Sequence, residues 1–255
     1  MTAIVTRVAH TGADELRFHG HKVFAELLGR TSLGQMLILG VSGDLLDERR
    51  IAVIDDIVTA MSSADPRLWP FKVTRLGTSL GNAAYGVGAT LVAGEGGMYG
   101  SNRLAQTADW LSHTVKRIEV ASISDDDIEK LLVDSNTGFG VLYRSRDERF
   151  EALLRRRGDT GDHTRFCMHA ARVARERKQS EAHVYLAVAA LCLDIGLSVE
   201  AISALGIIFL FHDALANAVE GARQAPPLLQ CLPQDHVEYR GRSARRSTRA
   251  ITSVR

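Results

Sequence analysis

The sequence predicts an all-α protein, on three observations. Apolar residues recur at helical spacing along most of the chain, capping residues stand ahead of those stretches, and no convincing alternating run marks a strand. Ile54, Ile57, Val58 and Met61 fall at i, i+3, i+4 and i+7 in a segment opened by Ser42-Gly43-Asp44, whose polar side chains suit a helix start. Leu104, Leu111, Val115 and Ile118 form a second stripe, and Ile128, Leu131 and Leu132 a third behind the acidic cap Ser124-Asp125-Asp126-Asp127. Leu186, Ala189, Ala190 and Leu193 form another, stopped by Gly196, with Ser198 as the next cap. Short ambiguous pieces near the start and at Val237-Tyr239 are the exceptions. The stretch from Gly81 to Gly97 is rich in Gly and Ala, which predicts either a helix in close backbone contact with its neighbours or a glycine loop.

A chain of 255 residues can bury one sizeable core, or a core with a smaller satellite domain. A net charge of +1 with 24% charged residues argues against disorder and against a dominant polyanion-binding surface. Arg240, Arg242, Arg245, Arg246, Arg249 and Arg255 make a basic tail that reads as solvated, with nucleic acid as a weaker alternative partner. Cys167, Cys192 and Cys231 include no CxxC pair and no evident activating partner, which fits a reducing compartment and disfavours disulfides, zinc and thiol catalysis. Met1 to His10 lacks a long apolar core behind a basic flank. The most apolar run, Ala204 to Phe211, is too short to span a bilayer and is followed by His212 and Asp213. The expectation is a soluble cytoplasmic protein that makes no membrane contact. His19 with His21, and His163 with His169, lack the spacing and acidic neighbours of a metal site, and neither GxSxG nor a phosphate-binding or dinucleotide fingerprint is present.

Four stretches, in order, carry a family resemblance. They are Gly20-His21-Lys22-Val23-Phe24-Ala25-Glu26-Leu27-Leu28-Gly29 with Thr31-Ser32-Leu33; Gly94-Glu95-Gly96-Gly97; Gly138-Phe139-Gly140-Val141-Leu142-Tyr143-Arg144 with Asp147-Glu148-Arg149; and the closing set Leu193-Asp194-Ile195-Gly196-Leu197, Asn217-Ala218-Val219-Glu220 and Tyr239-Arg240-Gly241-Arg242. Together they resemble the citrate synthase superfamily and span nearly the whole chain. The resemblance implies an all-helical fold with a large domain from both chain ends, here 1–98 and 186–255, and a smaller helical domain inserted at 99–185. It also implies a homodimer that completes each active site, with the helix from Gly81 to Gly97 at the dimer core, and coenzyme A thioester as a co-substrate with no tightly bound cofactor and no metal.

The chain departs from the family where the chemistry is done. Glu95 stands for the enolate-binding histidine, Val141 for the carbonyl-polarising histidine and Tyr185 for the basic aspartate. Valine donates no hydrogen bond, so the family's ordinary mechanism does not transfer. The family's Asp-His-Gly appears as Asp65-Pro66-Arg67, an expected arginine falls at Leu210 with His212 two residues on, and an Ala-His becomes Ala216-Asn217. What stays is Arg149, where the family binds a substrate carboxylate, and Tyr239-Arg240-Gly241-Arg242 near coenzyme A. New polar groups gather at Asp65, Arg67, Trp69, Lys72 and Arg75.

These residues imply a divergent enzyme for a Claisen- or aldol-type condensation or its reverse, on an acyl-thioester or related carboxylate, with no ordinary citrate synthesis. Glu95 or Asp65 would act as acid or base and Tyr185 as donor to a developing oxyanion. Arg149 with Arg67, Lys72 or Arg75 would hold carboxylate or phosphate groups. Gly96, Gly97, Tyr143, Arg144, His212 and Tyr239 to Arg242 complete the expected binding set. Structural roles stand beside these: Glu95 as a cap for the helix near Ser101, Tyr185 as a core ring, Trp69-Pro70 as a packing plug, Lys72 and Arg75 as a solvated face or a dimer salt bridge. A non-catalytic homologue, acting as a dimeric binding or regulatory protein, is the alternative function.

Overall fold

The computed structural model describes residues 4–79, 81–94, 100–133, 137–141, 144–157, 161–224, 233–236 and 238–243. Glu95, Gly96, Gly97, Tyr143, Val237 and the arginines beyond 243 lie outside the described residues. The fold is all-α. Its eleven described α-helices are α1 (Leu33–Ser42), α2 (Glu48–Met61), α3 (Trp69–Ser79), α4 (Ala83–Gly94), α5 (Ser101–Val115), α6 (Asp125–Val133), α7 (Glu148–Arg157), α8 (Asp162–Lys178), α9 (Val184–Asp194), α10 (Val199–Phe209) and α11 (Phe211–Gly221). The ambiguous opening piece forms a small antiparallel meander of β1 (Ala9–Thr11), β2 (Leu16–Phe18) and β3 (His21–Lys22).

Capping chemistry sets several helix ends. Ser32 and Gln35 form a reciprocal capping box at α1. Ser124 Oγ accepts the Asp127 N–H at α6, and Ser198 Oγ the Ala201 N–H at α10, as expected. Gly196, at φ 89°, sits in the left-handed region after α9. One boundary differs from the sequence reading. Gly43, at φ 80°, ends α1, and α2 opens instead at Asp47, whose carboxylate accepts the Arg50 N–H at 3.0 Å. The segment Ser42-Gly43-Asp44 is therefore a stop signal, because a left-handed glycine closes the preceding helix.

The core is built around α9, where every residue from Val184 to Cys192 is buried. A helix apolar on all sides must be covered on all sides, and α5, α7, α8 and α2 all pack on it. The apolar cluster runs without a break from Ile38, Ile54 and Ile57 through Leu104, Ile128 and Phe150 to Leu186, Ile202 and Phe209. Asp194, at the far end of α9, accepts the His163 and Thr164 N–H groups and so anchors the start of α8. The thiols of Cys167 and Cys192 are fully buried in this core; burial pushes the first well above the ordinary thiol range and the second up to about 12. Neither is a nucleophile at neutral pH.

A second layer consists of α3, α4 and α11. The small residues of α4 serve close packing: a Cβ at Gly86 would collide with the Thr74 carbonyl and the Thr78 side chain of α3. Only one face of α4 is covered, since Tyr85 and Val92 are 61% and 80% exposed. Asn217 of α11 donates to the Ala64 carbonyl and accepts from Arg75, which ties the linker after α2, α3 and α11 together.

The stretch Val199–Gly221 is, by length and composition, long and apolar enough to cross a membrane, which corrects the shorter run read from the sequence. It is broken at Leu210 into α10 and α11. The first of these buries Ile202, Leu205 and Phe209 in the core, as an internal helix of a packed domain does, and the second carries buried Asp213 and Asn217.

Candidate active-site cavity

The start of α9 is where buried chemistry gathers. Phe139 bridges Ala182 antiparallel, the His183 N–H donates to the Gly138 carbonyl at 2.9 Å, and the Gly140 N–H donates to the Glu181 carbonyl at 2.8 Å. This pairing lays the Gly138–Val141 segment beside 180–183. His183 is extended and caps α9, its Nδ1 accepting the Tyr185 N–H at 3.2 Å.

Asp147, whose side chain is 1% exposed, docks on the same helix end. It accepts the Val184 N–H at 2.9 Å and the Arg149 Nε and Nη2 groups at 2.8 and 2.9 Å. Helix N-terminus and guanidinium both favour the anion. Burial alone would raise the Asp147 pKa, but these partners outweigh it and hold the carboxyl below its usual range. The fork of Arg149 is thereby occupied, and its Nη1 has no hydrogen-bond partner among the described residues.

Arg149, His183 and Tyr185 share one small cavity, of about 40 Å³, whose remaining walls are mostly apolar: Met61, Leu68, Pro70, Phe71 and Leu210, with Ser63 between them. The Tyr185 Oη accepts the Gly100 N–H at 3.0 Å, and its ring stands edge-on to the His183 imidazole at 4.7 Å. Burial is the main cause that lowers the His183 pKa to about 4, with the Asp147 charge opposing it. At neutral pH the imidazole is uncharged, and because Nδ1 accepts, the hydrogen-bond pattern assigns the proton to Nε2. Behind Ser63, buried Asp213 accepts the Ser63 N–H at 2.8 Å, and burial raises its pKa against that bond and the His212 and Arg149 charges.

The structure thus brings Arg149 and Tyr185 to one cavity with Leu68 and Pro70, which belong to the segment from Asp65 to Arg75. The charged members of that segment are placed differently. Asp65 and Arg67 clasp each other, with Arg67 88% exposed, and the Arg67 hydrogen bonds hold the Asp65 carboxyl down at about 2. So held, Asp65 is ionised at neutral pH and a weak base, against its expected acid–base role. Lys72 is exposed, and Arg75 is engaged by Asn217, Gln224 and Glu220 of the α11 region instead of facing the cavity. Val141 is half-buried and does not line the cavity. His212 Nε2 lies 2.8 Å from Ser62 Oγ, and Arg144 pairs with Glu148. In the closing segment Tyr239 Oη donates to the Arg242 carbonyl at 3.1 Å and Arg240 pairs with Glu238, both local contacts. Glu95, Gly96, Gly97 and Tyr143 fall outside the described residues.

His183 and Asp213 were not singled out from sequence. A histidine directly ahead of an apolar helix, as in His183-Val184-Tyr185, was the available signal for the first, since it marks a capping side chain at a buried helix end. Nothing local distinguishes the second.

No family model matches the chain, and no curated protein matches it in sequence. Solved structures do. The citryl-CoA lyase of Hydrogenobacter thermophilus superposes with a TM-score of 0.78 at 19% identity, over 98% of this chain and 100% of that one. The ATP citrate lyase of Methanothrix soehngenii, in complex with citrate and coenzyme A, gives a TM-score of 0.72 at 13% identity over 98% of this chain. A variant of the Methanosaeta concilii ATP citrate lyase, in complex with (3S)-citryl-CoA, gives 0.71 at 14% identity over 99%. The chain spans 43% of the length of each ATP citrate lyase. The resemblance carried by the four sequence stretches is therefore met in three dimensions, and the chain has the citrate synthase-like fold.

Proposed function

We propose that the protein is a divergent enzyme that makes or breaks a carbon–carbon bond between an acyl-thioester carbon and a carbonyl carbon, in the cavity at the start of α9. The carrying observation is the convergence there of a guanidinium, a neutral imidazole and a phenol, Arg149, His183 and Tyr185, against apolar walls. In condensation, a base removes a proton from the thioester α-carbon, that carbon bonds to the ketone carbon, and the ketone oxygen becomes the new alkoxide and takes a proton. Cleavage is the reverse. Arg149 Nη1 holds the substrate carboxylate, while His183 Nε2–H and the Tyr185 hydroxyl donate to the oxygen that gains charge. A neutral imidazole serves this purpose because it donates without bringing a labile positive charge into a dry site. With Asp65 held by Arg67, Glu95 is the proposed acid–base residue; it follows α4 by one position and precedes Gly100, the Tyr185 partner, by five.

The proposal includes the division into 1–98 with 186–255 and 99–185, closure of the cleft between these lobes, and coenzyme A binding near Tyr239 to Arg242. It also includes a homodimer in the cytoplasm. Exposed Phe211, Leu215 and Val219 recur at intervals of four on α11, which packs on α4 with its exposed Tyr85 and Val92, and these unburied apolar side chains support pairing. Leu215→Glu should convert the dimer to monomer in light scattering.

The test is product analysis by mass spectrometry, with a panel of acyl-CoAs and oxo acids and, in reverse, their adducts. A condensation or cleavage product is expected, with no citrate from acetyl-CoA and oxaloacetate. Ligand binding without any product across the panel would overturn the enzymatic reading in favour of a binding protein.

A further inference from the structure

We propose that the cavity selects a substrate with a single carboxylate, a monocarboxylic 2-oxo acid carrying a short apolar chain, over any dicarboxylate. The inference rests on the reaction proposed above and names its carbonyl substrate.

Charge comes first. Among the described lining residues Arg149 is the one cation, and Asp147 already occupies its Nε and Nη2 donors. The N–H groups left to meet a ligand anion are the two on Nη1 and the second on Nη2, enough for one carboxylate. His183 is uncharged and offers a donor only, and Asp213 stands behind Ser63 as a second carboxyl near the guanidinium. A first substrate carboxylate can sit on Nη1. A second would find no further cation among the described lining residues, and an unpaired buried charge is among the costliest things a protein can accommodate.

The rest of the lining points the same way. Met61, Leu68, Pro70, Phe71 and Leu210 share the cavity with Arg149, so the part of a substrate beyond its carboxylate meets mostly thioether, aliphatic and aromatic carbon. Those side chains are matched to methyl and methylene groups, which gain from leaving water where a carboxylate would lose. Size limits the chain: about 40 Å³ holds roughly three or four water-sized groups, so little can extend beyond the carboxylate and carbonyl, and a long acyl chain is shut out.

The experiment is calorimetric titration of the full-length protein with 2-oxobutanoate, 2-oxo-3-methylbutanoate, oxaloacetate and 2-oxoglutarate, with product analysis of the same mixtures after adding acyl-CoA. At least ten-fold tighter binding of the two monocarboxylates is expected, and Leu210→Arg should reverse the order. Oxaloacetate or 2-oxoglutarate binding as tightly as the monocarboxylates in the unaltered protein overturns the proposal, as does the absence of binding by all four. If the monocarboxylates bind selectively and no carbon–carbon product forms, the selectivity stands and the proposed reaction fails.

Discussion

The molecule contains the same three side-chain types, aspartate, arginine and histidine, grouped in two very different settings. At the start of α9, Asp147 holds Arg149 and lies 3.9 Å from His183, with side-chain exposures of 1%, 24% and 7%. Between α6 and α8, Asp125 holds Arg172 at 2.7 Å and His169 at 2.6 Å, with exposures of 30%, 46% and 28%. In the second group water competes for every partner, and charge pairs of this kind contribute little to stability. In the first, each partner is costly to remove because the others cannot turn to solvent. Burial, not residue type, sets the first group apart, and it holds Arg149 and His183 in the lining of the cavity at the start of α9.

The largest effect should separate the two settings by mutation. Arg149→Met leaves the Asp147 charge buried without its partner and should cost about 3–5 kcal/mol in urea denaturation, together with loss of oxo-acid binding. Arg172→Met, the matched change in the exposed group, should cost about 1 kcal/mol or less. Equal losses would show that burial is not what distinguishes the two.

Acid should act on the buried set next. The His183 pKa is lowered from 6.5 to about 4, so the unfolded chain takes up this proton before the folded one does. The associated stability is fully present above pH 6.5 and is lost as pH falls toward 4, a contribution of roughly 3 kcal/mol at the usual 1.36 kcal/mol per pKa unit. Asp147, also held below its usual range, adds to acid sensitivity, while Asp213, raised by burial, opposes it. Denaturation midpoints measured from pH 7.5 to 4 should fall for the native sequence and fall less for His183→Gln.

A smaller effect sharpens the role of the phenol. Tyr185→Phe removes the acceptor for the Gly100 N–H and should destabilise by about 1 kcal/mol, while oxo-acid affinity stays within a few-fold. Turnover of any identified substrate should fall by at least ten-fold if the hydroxyl donates to the reacting oxygen, and a purely packing role would leave turnover unchanged.

The two settings also differ in how legible they are. The acidic opening of α6 is visible as Ser124-Asp125-Asp126-Asp127, because a cap and its helix are neighbours in sequence. The buried set is assembled from 147–149 and 183–185, brought together through the Gly138–Val141 segment, and only its first part matched a family motif. Arg75 and Asp65 illustrate the converse. Both look like site residues in a charged, aromatic stretch, yet Arg75 reaches to Asn217 and Asp65 folds back on Arg67. Sequence shows which side chains are charged but not which partners satisfy them.

What the sequence determined alone was the helical architecture, since helix periodicity, caps and left-handed glycines are local and act within a few residues. Only the tertiary structure decided which polar groups became a site. That choice depends on burial and on partners more than thirty residues away, as between Asp147 and Val184 or between Tyr185 and Gly100, and desolvation energies of that kind exist only once the chain has packed.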